Sequence, residues 1–214
     1  MDEVQRIKSF YRERKGKDDY IYSCHFSQER ENEIKDALRK GGFISLASKN
    51  ILDVGCGTGE ILSYFLKEGV PKKNLYGIDL LPERIGKGKI TYPDISFICG
   101  NAESLPFEDD FFDIITQSTV FTSILDYKMK QRIAAEMLRV LRMNGLIIWH
   151  DYRYNNPFNP HVKGIRKKEI MDLFPNCRFA FELINLNPII AKLVGKFSWN
   201  MCELLRRIRF LWSH

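Results

Sequence analysis

The chain has 214 residues, 44% apolar and 28% charged, with a net charge of +6 at pH 7. That length suits a single domain with a substantial core. No run approaches roughly 18 apolar residues, so a membrane-spanning helix is not expected, and the opening Met-Asp-Glu-Val-Gln-Arg lacks the apolar centre of a secretion signal. The first 17 residues are densely charged and predict a loosely held helix. Asp18 to Phe26 is aromatic-rich and leads into a helix of about fifteen residues, stopped by Gly41-Gly42. From Asn50 the pattern alternates without internal repeat. Apolar runs at 50–54, 75–80, 95–99, 112–117 and 146–150 predict buried strands, and helical spacing fills 59–68, 82–90 and 126–141 between them. In the last helix Ile133, Met137, Val140 and Leu141 form the apolar stripe. Strands separated by helices imply parallel pairing with right-handed crossovers, hence a doubly wound α/β sheet.

Beyond residue 152 the pattern changes. Asn155 to Pro160 predicts a loop, Lys167–Phe174 a short helix stopped by Pro175, and Arg178–Leu186 a sixth strand. From Pro188 an apolar stripe through Ile190, Val194, Phe197, Met201, Leu204, Ile208 and Leu211 predicts a long amphipathic helix with basic residues at 192, 196, 206, 207 and 209. Core packing and a membrane-surface role are both open to it. Charge is uneven: from residue 152 onward eleven Lys/Arg stand against four Asp/Glu, and the rest is near neutral. A basic tail is either a solvated face or an attraction to an anionic substrate or membrane surface. Five cysteines, at 24, 56, 99, 177 and 202, form no C-x-x-C pair and are odd in number, which points to reduced thiols in a cytoplasmic protein. No metal ligands stand at recognised spacing.

Residues 51–62 are the most informative stretch: an apolar strand, Ile-Leu-Asp-Val, runs into Gly-Cys-Gly-Thr-Gly and then a helix. Gly55, Gly57 and Gly59 make room for a ligand against bare backbone, and the helix start offers unpaired N–H groups. The spacing is G-x-G-x-G, with Glu60 where a dinucleotide fingerprint places its last glycine. Asp53 sets a carboxylate under the loop, which repels a pyrophosphate and attracts an ammonium. The pattern favours a nucleoside with an amino-acid tail over a dinucleotide. Asp79, at the end of the second strand, is placed to accept ribose hydroxyls; its other reading is a helix cap before Pro82.

The Asp53–Gly59 motif resembles the first motif of the class I S-adenosylmethionine (SAM)-dependent methyltransferases. Leu75-Tyr-Gly-Ile-Asp79 resembles the family's second strand with its ribose-binding acid, Gly100-Asn-Ala-Glu-Ser-Leu-Pro106 its adenine-binding turn, and Leu138 to Leu146 the helix-turn before its fifth strand. The resemblance covers roughly residues 45–151; from His150 to Pro157 and in the tail it narrows to small bacterial methyltransferases linked to cell-surface polysaccharide genes. It implies a Rossmann-like class I fold with an N-terminal helical cap (1–45), a SAM-binding core (46–151) and an acceptor-side loop, strand and amphipathic tail (152–214), all in one domain. It also implies a seventh, antiparallel strand, and the chain reaches His214 about where that strand begins. SAM is the implied donor and S-adenosylhomocysteine the product. The expected cofactor residues are Asp53, Gly55, Cys56, Gly57, Gly59, Asp79, Leu80 over the adenine, Asn101 and Ala102 at its edge, and Gln117 near the methionine portion.

For the acceptor, a base is expected at the strand ends, where His150 and Asp151 stand. Consecutive strand residues face opposite ways, so only one of them faces a given pocket, and Asp151 ranks above His150. His25 in the cap, Phe121 and Ser123 after strand four, and Tyr152, Arg153 and Tyr154 after strand five are expected to line the acceptor site. The expected activity is methyl transfer to a small molecule, a sugar or glycan-related metabolite among the candidates. Two alternatives stay open: a nucleic-acid methyltransferase, and a SAM-binding protein without catalysis. Asn155-Asn-Pro-Phe158 faintly resembles a base-amino methyltransferase motif but follows the wrong strand, and no dedicated nucleic-acid module is present. A nicotinamide dehydrogenase is disfavoured by the glycine spacing and Asp53. Peripheral membrane contact is expected through the basic C-terminal helix; oligomeric state is open.

Overall fold

The computed structural model describes residues 2–13 and 20–182, the side chains of 20–29 excepted. Five parallel strands, β1 (Ile51–Val54), β2 (Leu75–Asp79), β3 (Ser96–Cys99), β4 (Phe112–Ser118) and β5 (Leu141–His150), lie in the order β3-β2-β1-β4-β5. The chain starts at the centre of the sheet, winds out one way and then the other. A crevice therefore opens at the carboxyl ends of β1 and β4, where the winding reverses. β1 is buried along its whole length and β4 along all but its last residue, as expected of parallel strands covered on both faces.

Among the described residues six α-helices flank the sheet: α1 (Glu3–Glu13), α2 (Tyr20–Lys40), α3 (Glu60–Lys67), α4 (Pro82–Thr91), α5 (Tyr127–Val140) and α6 (Lys167–Leu173). On one face Ile34 and Leu38 of α2, Ile61, Leu62 and Phe65 of α3 and Ile85 of α4 pack on Ile51, Leu75 and Ile114. On the other, Ile7 of α1, Met129, Ile133 and Met137 of α5 and Leu173 of α6 pack on Leu52, Val54 and Ile115. None of the described helices is long and apolar enough to cross a membrane.

The expected elements of the core form within a residue or two, with three corrections. β5 begins at Leu141 rather than 146, following α5 directly; its register shifts opposite Phe112–Ile114, with Asn144 at a φ of 62°. The expected sixth strand does not form over Arg178–Glu182, which joins no strand among the described residues. Its alternation instead stacks Phe179 on Phe181, centroids 5.5 Å apart, with the Lys167 ammonium 4.9 Å from the Phe181 ring. The rest of that stretch and the positions of the expected amphipathic helix from Pro188 lie outside the described residues, as does any seventh strand.

The third correction concerns α1, which is docked rather than loosely held. Arg6 donates to the Ser123 carbonyl at 2.6 Å and Glu3 Oε1 accepts from the Leu125 N–H at 2.6 Å. The Tyr11 hydroxyl lies 2.6 Å from Ser123 Oγ, and the Arg84 guanidinium stands 4.7 Å from the Tyr11 ring centroid. Ser123 follows β4 and Arg84 opens α4 after β2. The helix thus spans the carboxyl ends of the strands on either side of the glycine loop.

Candidate functional site

The turn after β1 folds over the end of β2: the N–H groups of Gly55 and Cys56 both donate to the Ile78 carbonyl, at 2.8 and 3.1 Å. Gly55, Gly57 and Gly59 have φ of 72°, 56° and 93°, in the left-handed region. Two of them are also packed tight. A Cβ on Gly55 would meet Val120 Cγ2 at 2.4 Å, and one on Gly59 would meet the Phe97 ring at 2.7 Å. Around a Cβ on Gly57 there is nothing within 4 Å. The middle of the loop thus presents bare backbone to open space, as a cradle for a ligand should. Cys56 points inward against Gly77, where an added Cβ would lie 2.7 Å from its sulfur. Burial pushes its thiol far up, so it acts as a small filler.

Asp79 closes the cradle from β2. One carboxylate oxygen accepts the Gly57 N–H at 2.9 Å and the other the Leu81 N–H at 2.8 Å. The carboxylate therefore braces the turn that leads into α4 and at the same time stands at the glycine loop. A carboxylate offers about four acceptor directions, so two backbone bonds leave capacity for ligand hydroxyls. Next to it Gly100 donates to the Asp79 carbonyl at 3.0 Å, bringing the Asn101–Ala102 turn alongside. Asn101 is held by its own loop, giving its amide N–H to Glu103 at 2.7 Å and accepting the Glu103 backbone N–H at 3.1 Å. Leu80 is half-buried against the core and Ala102 is buried.

Pleating divides the remaining polar residues between the two faces. Asp53, Thr116 and His150 continue the rows of Ile51, Ile114 and Ile148 and face α2 and α3; Gln117 and Asp151 continue those of Ile115 and Trp149 and face α5. Asp53 accepts from the Thr116 hydroxyl at 2.7 Å. Burial pushes its carboxyl up to about 7, against the lowering effects of that bond and of the Arg30 guanidinium. His150 lies with Nδ1 3.4 Å from Glu33 Oε2. Burial, with the Arg30 charge next, lowers its imidazole to about 4. At neutral pH the ring is therefore uncharged, and its approach to Glu33 is not an ion pair.

Asp151 has both oxygens taken. One accepts from Gln117 Nε2 at 3.1 Å, the other from the Thr122 N–H at 3.2 Å and its hydroxyl at 2.5 Å. Gln117 in turn accepts the Val120 N–H at 3.2 Å. These bonds fix the turn after β4, and burial raises Asp151 to about 6.

The expected acceptor residues do not converge. Phe121 is wholly enclosed, 4.3 Å from the Trp149 ring, and Ser123 is covered by α1 through Tyr11. Tyr152 is half-buried. Arg153 stacks 4.6 Å over Tyr154, both on the surface. His25 lies on α2, and its side chain is outside the description. Three residues escaped the sequence reading: Thr116, Arg30 (Nη2 to Glu60 Oε2, 3.1 Å) and Tyr11. Thr116, a hydroxyl beside Gln117 at the carboxyl end of β4, was the one readable signal.

Comparison with known proteins agrees with this geometry. Residues 52–149 match a family model described as a methyltransferase domain. The chain is 33% identical over 122 residues to a phthiotriol/phenolphthiotriol dimycocerosates methyltransferase of Mycobacterium ulcerans, covering 55% of this chain and 43% of that protein. It is 28% identical over 155 residues to a demethylmenaquinone methyltransferase of Listeria monocytogenes, covering 70% of this chain and 60% of that one. The chain thus spans less than two thirds of the length of these relatives. Among solved structures, a SAM-dependent methyltransferase from Methanosarcina mazei shares the fold with a TM-score of 0.54 at 24% identity, over 64% of this chain and 82% of that one. The methyltransferase partner of the Haloferax volcanii Trm112 activator does so with a TM-score of 0.57 at 18% identity, over 86% and 91%.

Proposed function

Residues 52–149 match a methyltransferase-domain model and the fold is that of SAM-dependent methyltransferases, and from that likeness we propose that the protein is a class I SAM-dependent methyltransferase that transfers a methyl group from SAM to an apolar small-molecule acceptor. The observation that carries the donor side is the Asp79–Gly57 contact at 2.9 Å beside open backbone. Bound SAM supplies a methyl group activated for displacement by its sulfonium. The chain's part is to hold and align: Asp79 takes the ribose hydroxyls, the glycine loop lies against the amino-acid tail, and Asp53 receives the ammonium. A nearby cation draws the proton off Asp53 and so lowers its raised pKa. Leu80 and the Asn101–Ala102 turn flank the adenine.

Neither strand-end candidate is well suited as a base. His150 is lowered to about 4 and Asp151 is fully hydrogen-bonded within the protein. We read Asp151 as a positioning residue for Gln117 at the end of β4 and for the following turn that carries Phe121. An acceptor needing little proton removal fits this site better than a sugar hydroxyl. The named substrates of the relatives, a mycocerosate lipid and a menaquinone precursor, support the apolar reading. The test is incubation with methyl-labelled SAM and, in parallel, a bacterial lipid extract and a water-soluble sugar fraction. Label entering the organic phase supports the proposal; label confined to the sugar fraction contradicts it.

A further inference from the structure

The stretch between Asp151 and Glu169 contains five Lys/Arg and no Asp or Glu. All five, Arg153, Lys163, Arg166, Lys167 and Lys168, are exposed. The carboxylates that bracket them are taken: Asp151 is buried in its own hydrogen bonds, and Glu169 accepts from Lys130 at 2.7 Å. Within this basic surface Phe158 is 83% exposed and Tyr154 46%.

Phe158 is held in water by a braced loop. The chain leaves β5 at Tyr152 and returns at Ile165, whose N–H donates to the Tyr152 carbonyl at 2.9 Å. The two limbs touch at Gly164, where a Cβ would lie 2.5 Å from the backbone of Tyr154. Asn155 Oδ1 accepts the Gly164 N–H at 2.9 Å. At the tip, Asn156 accepts from the Phe158 N–H at 2.9 Å and Asn159 from the His161 N–H at 3.1 Å, two successive side-chain turns with Pro157 and Pro160 as their middle residues. The loop is seated on the molecule by Lys163 N–H to the Thr122 carbonyl at 2.8 Å, and by His161 stacked on Phe10 of α1 at 4.8 Å. A closed loop of this kind is a packed element rather than a slack connection. Its hydrogen bonds keep a phenyl ring away from the protein surface that would otherwise cover it.

We infer that the 152–166 loop, with the first residues of α6, is a docking surface for an anionic lipid bilayer, with Phe158 entering the interface and the five cations meeting the headgroups. Charge complementarity favours this occupant: five exposed cations in one stretch with an exposed phenyl ring match a negatively charged leaflet over an apolar interior. Nucleic acid fits less well, since single strands are bound in grooves with aromatics spaced to stack successive bases, and here the Tyr154 ring is already stacked under Arg153, leaving Phe158 without a neighbouring open ring in the loop. The loop continues from the carboxyl end of β5, on the side of the glycine loop. Docking would therefore turn the acceptor side toward the bilayer; this last step rests on the methyltransferase reading, whereas the docking itself does not.

The test is flotation of the full chain with vesicles of pure phosphatidylcholine and of phosphatidylcholine with phosphatidylglycerol, across a salt series. S-adenosylhomocysteine binding, measured by calorimetry without vesicles, serves as a separate readout. Binding to the anionic vesicles that weakens with salt is expected. Phe158→Ala, and separately Lys163→Glu with Lys168→Glu, are each expected to weaken it by about tenfold or more, each variant keeping wild-type nucleoside affinity. Wild-type vesicle binding by both variants would overturn the inference, as would equal binding to neutral vesicles or displacement from anionic vesicles by single-stranded RNA at equal phosphate. Loss of nucleoside binding by the wild-type chain would strike the methyltransferase reading and leave the docking result standing.

Discussion

The carboxylate of Asp79 accepts the Gly57 N–H at 2.9 Å, joining the end of β2 to the middle of the glycine loop. The same group holds the Leu81 N–H, so one side chain shapes both walls of the crevice. Asp79→Ala removes these charge-assisted bonds and those expected to ribose. Affinity for S-adenosylhomocysteine is expected to fall by more than about tenfold in calorimetry. Unchanged affinity would place the ribose acid elsewhere.

The glycines differ in what they tolerate. Gly55→Ala combines a left-handed φ with a 2.4 Å approach to Val120 Cγ2. A loss of about 2–3 kcal/mol is expected in urea unfolding. Adding Val120→Ala relieves the clash, leaving the backbone strain of roughly 1–2 kcal/mol and the methyls removed from Val120. Gly57→Ala meets open space and should cost only about the strain, yet its methyl intrudes on the cradle, so nucleoside affinity should fall while the fold persists. A Gly57→Ala protein with wild-type affinity would show that the ligand lies elsewhere.

Much of this was legible before any coordinates. Five apolar runs and the helical spacing between them specify the sheet, because buried parallel strands write themselves as continuous Val/Ile/Leu stretches, and glycine spacing plus Asp79 marks the crevice. What was not legible is carried by polar contacts between distant segments. The docking of α1 adds to a short apolar stripe, Val4, Ile7 and Tyr11, the polar contacts of Arg6, Glu3 and Tyr11 with residues 123–125, which no spacing in the sequence announces. Arg30 acts on Asp53 and His150 from another element altogether. The early start of β5 passes through exposed Arg142, Met143 and Asn144, which carry no buried-strand signal. Alternation at 178–182 was misleading because its two phenylalanines stack on each other rather than on a sheet.

Asp151 separates a positioning role from a catalytic one. Asp151→Ala strands three donors from Gln117 and Thr122. A loss of about 2–4 kcal/mol in urea unfolding is expected. Asp151→Asn keeps the volume and the acceptor for Thr122 while giving up the one for Gln117, and its pH–rate profile should run parallel to wild type. Disappearance of an acid limb near pH 6 in that variant would make Asp151 the base.

Asp53 ties stability to pH. Its carboxyl is raised to about 7 in the folded protein, so between about pH 4 and 7 the folded state holds a proton that the unfolded chain has lost. Its contribution to stability therefore falls as pH rises through that window and levels off above it. Asp53→Asn still accepts from Thr116 and never ionises. It should be more stable than wild type by about 2–4 kcal/mol at pH 8 and by clearly less at pH 5, as read from urea unfolding at each pH. A difference that does not change with pH would mean that Asp53 is ionised throughout. Donor affinity should drop in the same variant, because the amide offers no charge to the ammonium.

The most direct test of the account is calorimetric titration of the wild-type chain with S-adenosylhomocysteine, with NAD as the comparison ligand. One-to-one binding of the thioether nucleoside and no heat with NAD is the predicted result. Silence with the former, or a preference for NAD, would contradict the assignment of the crevice between β1, β2 and β4.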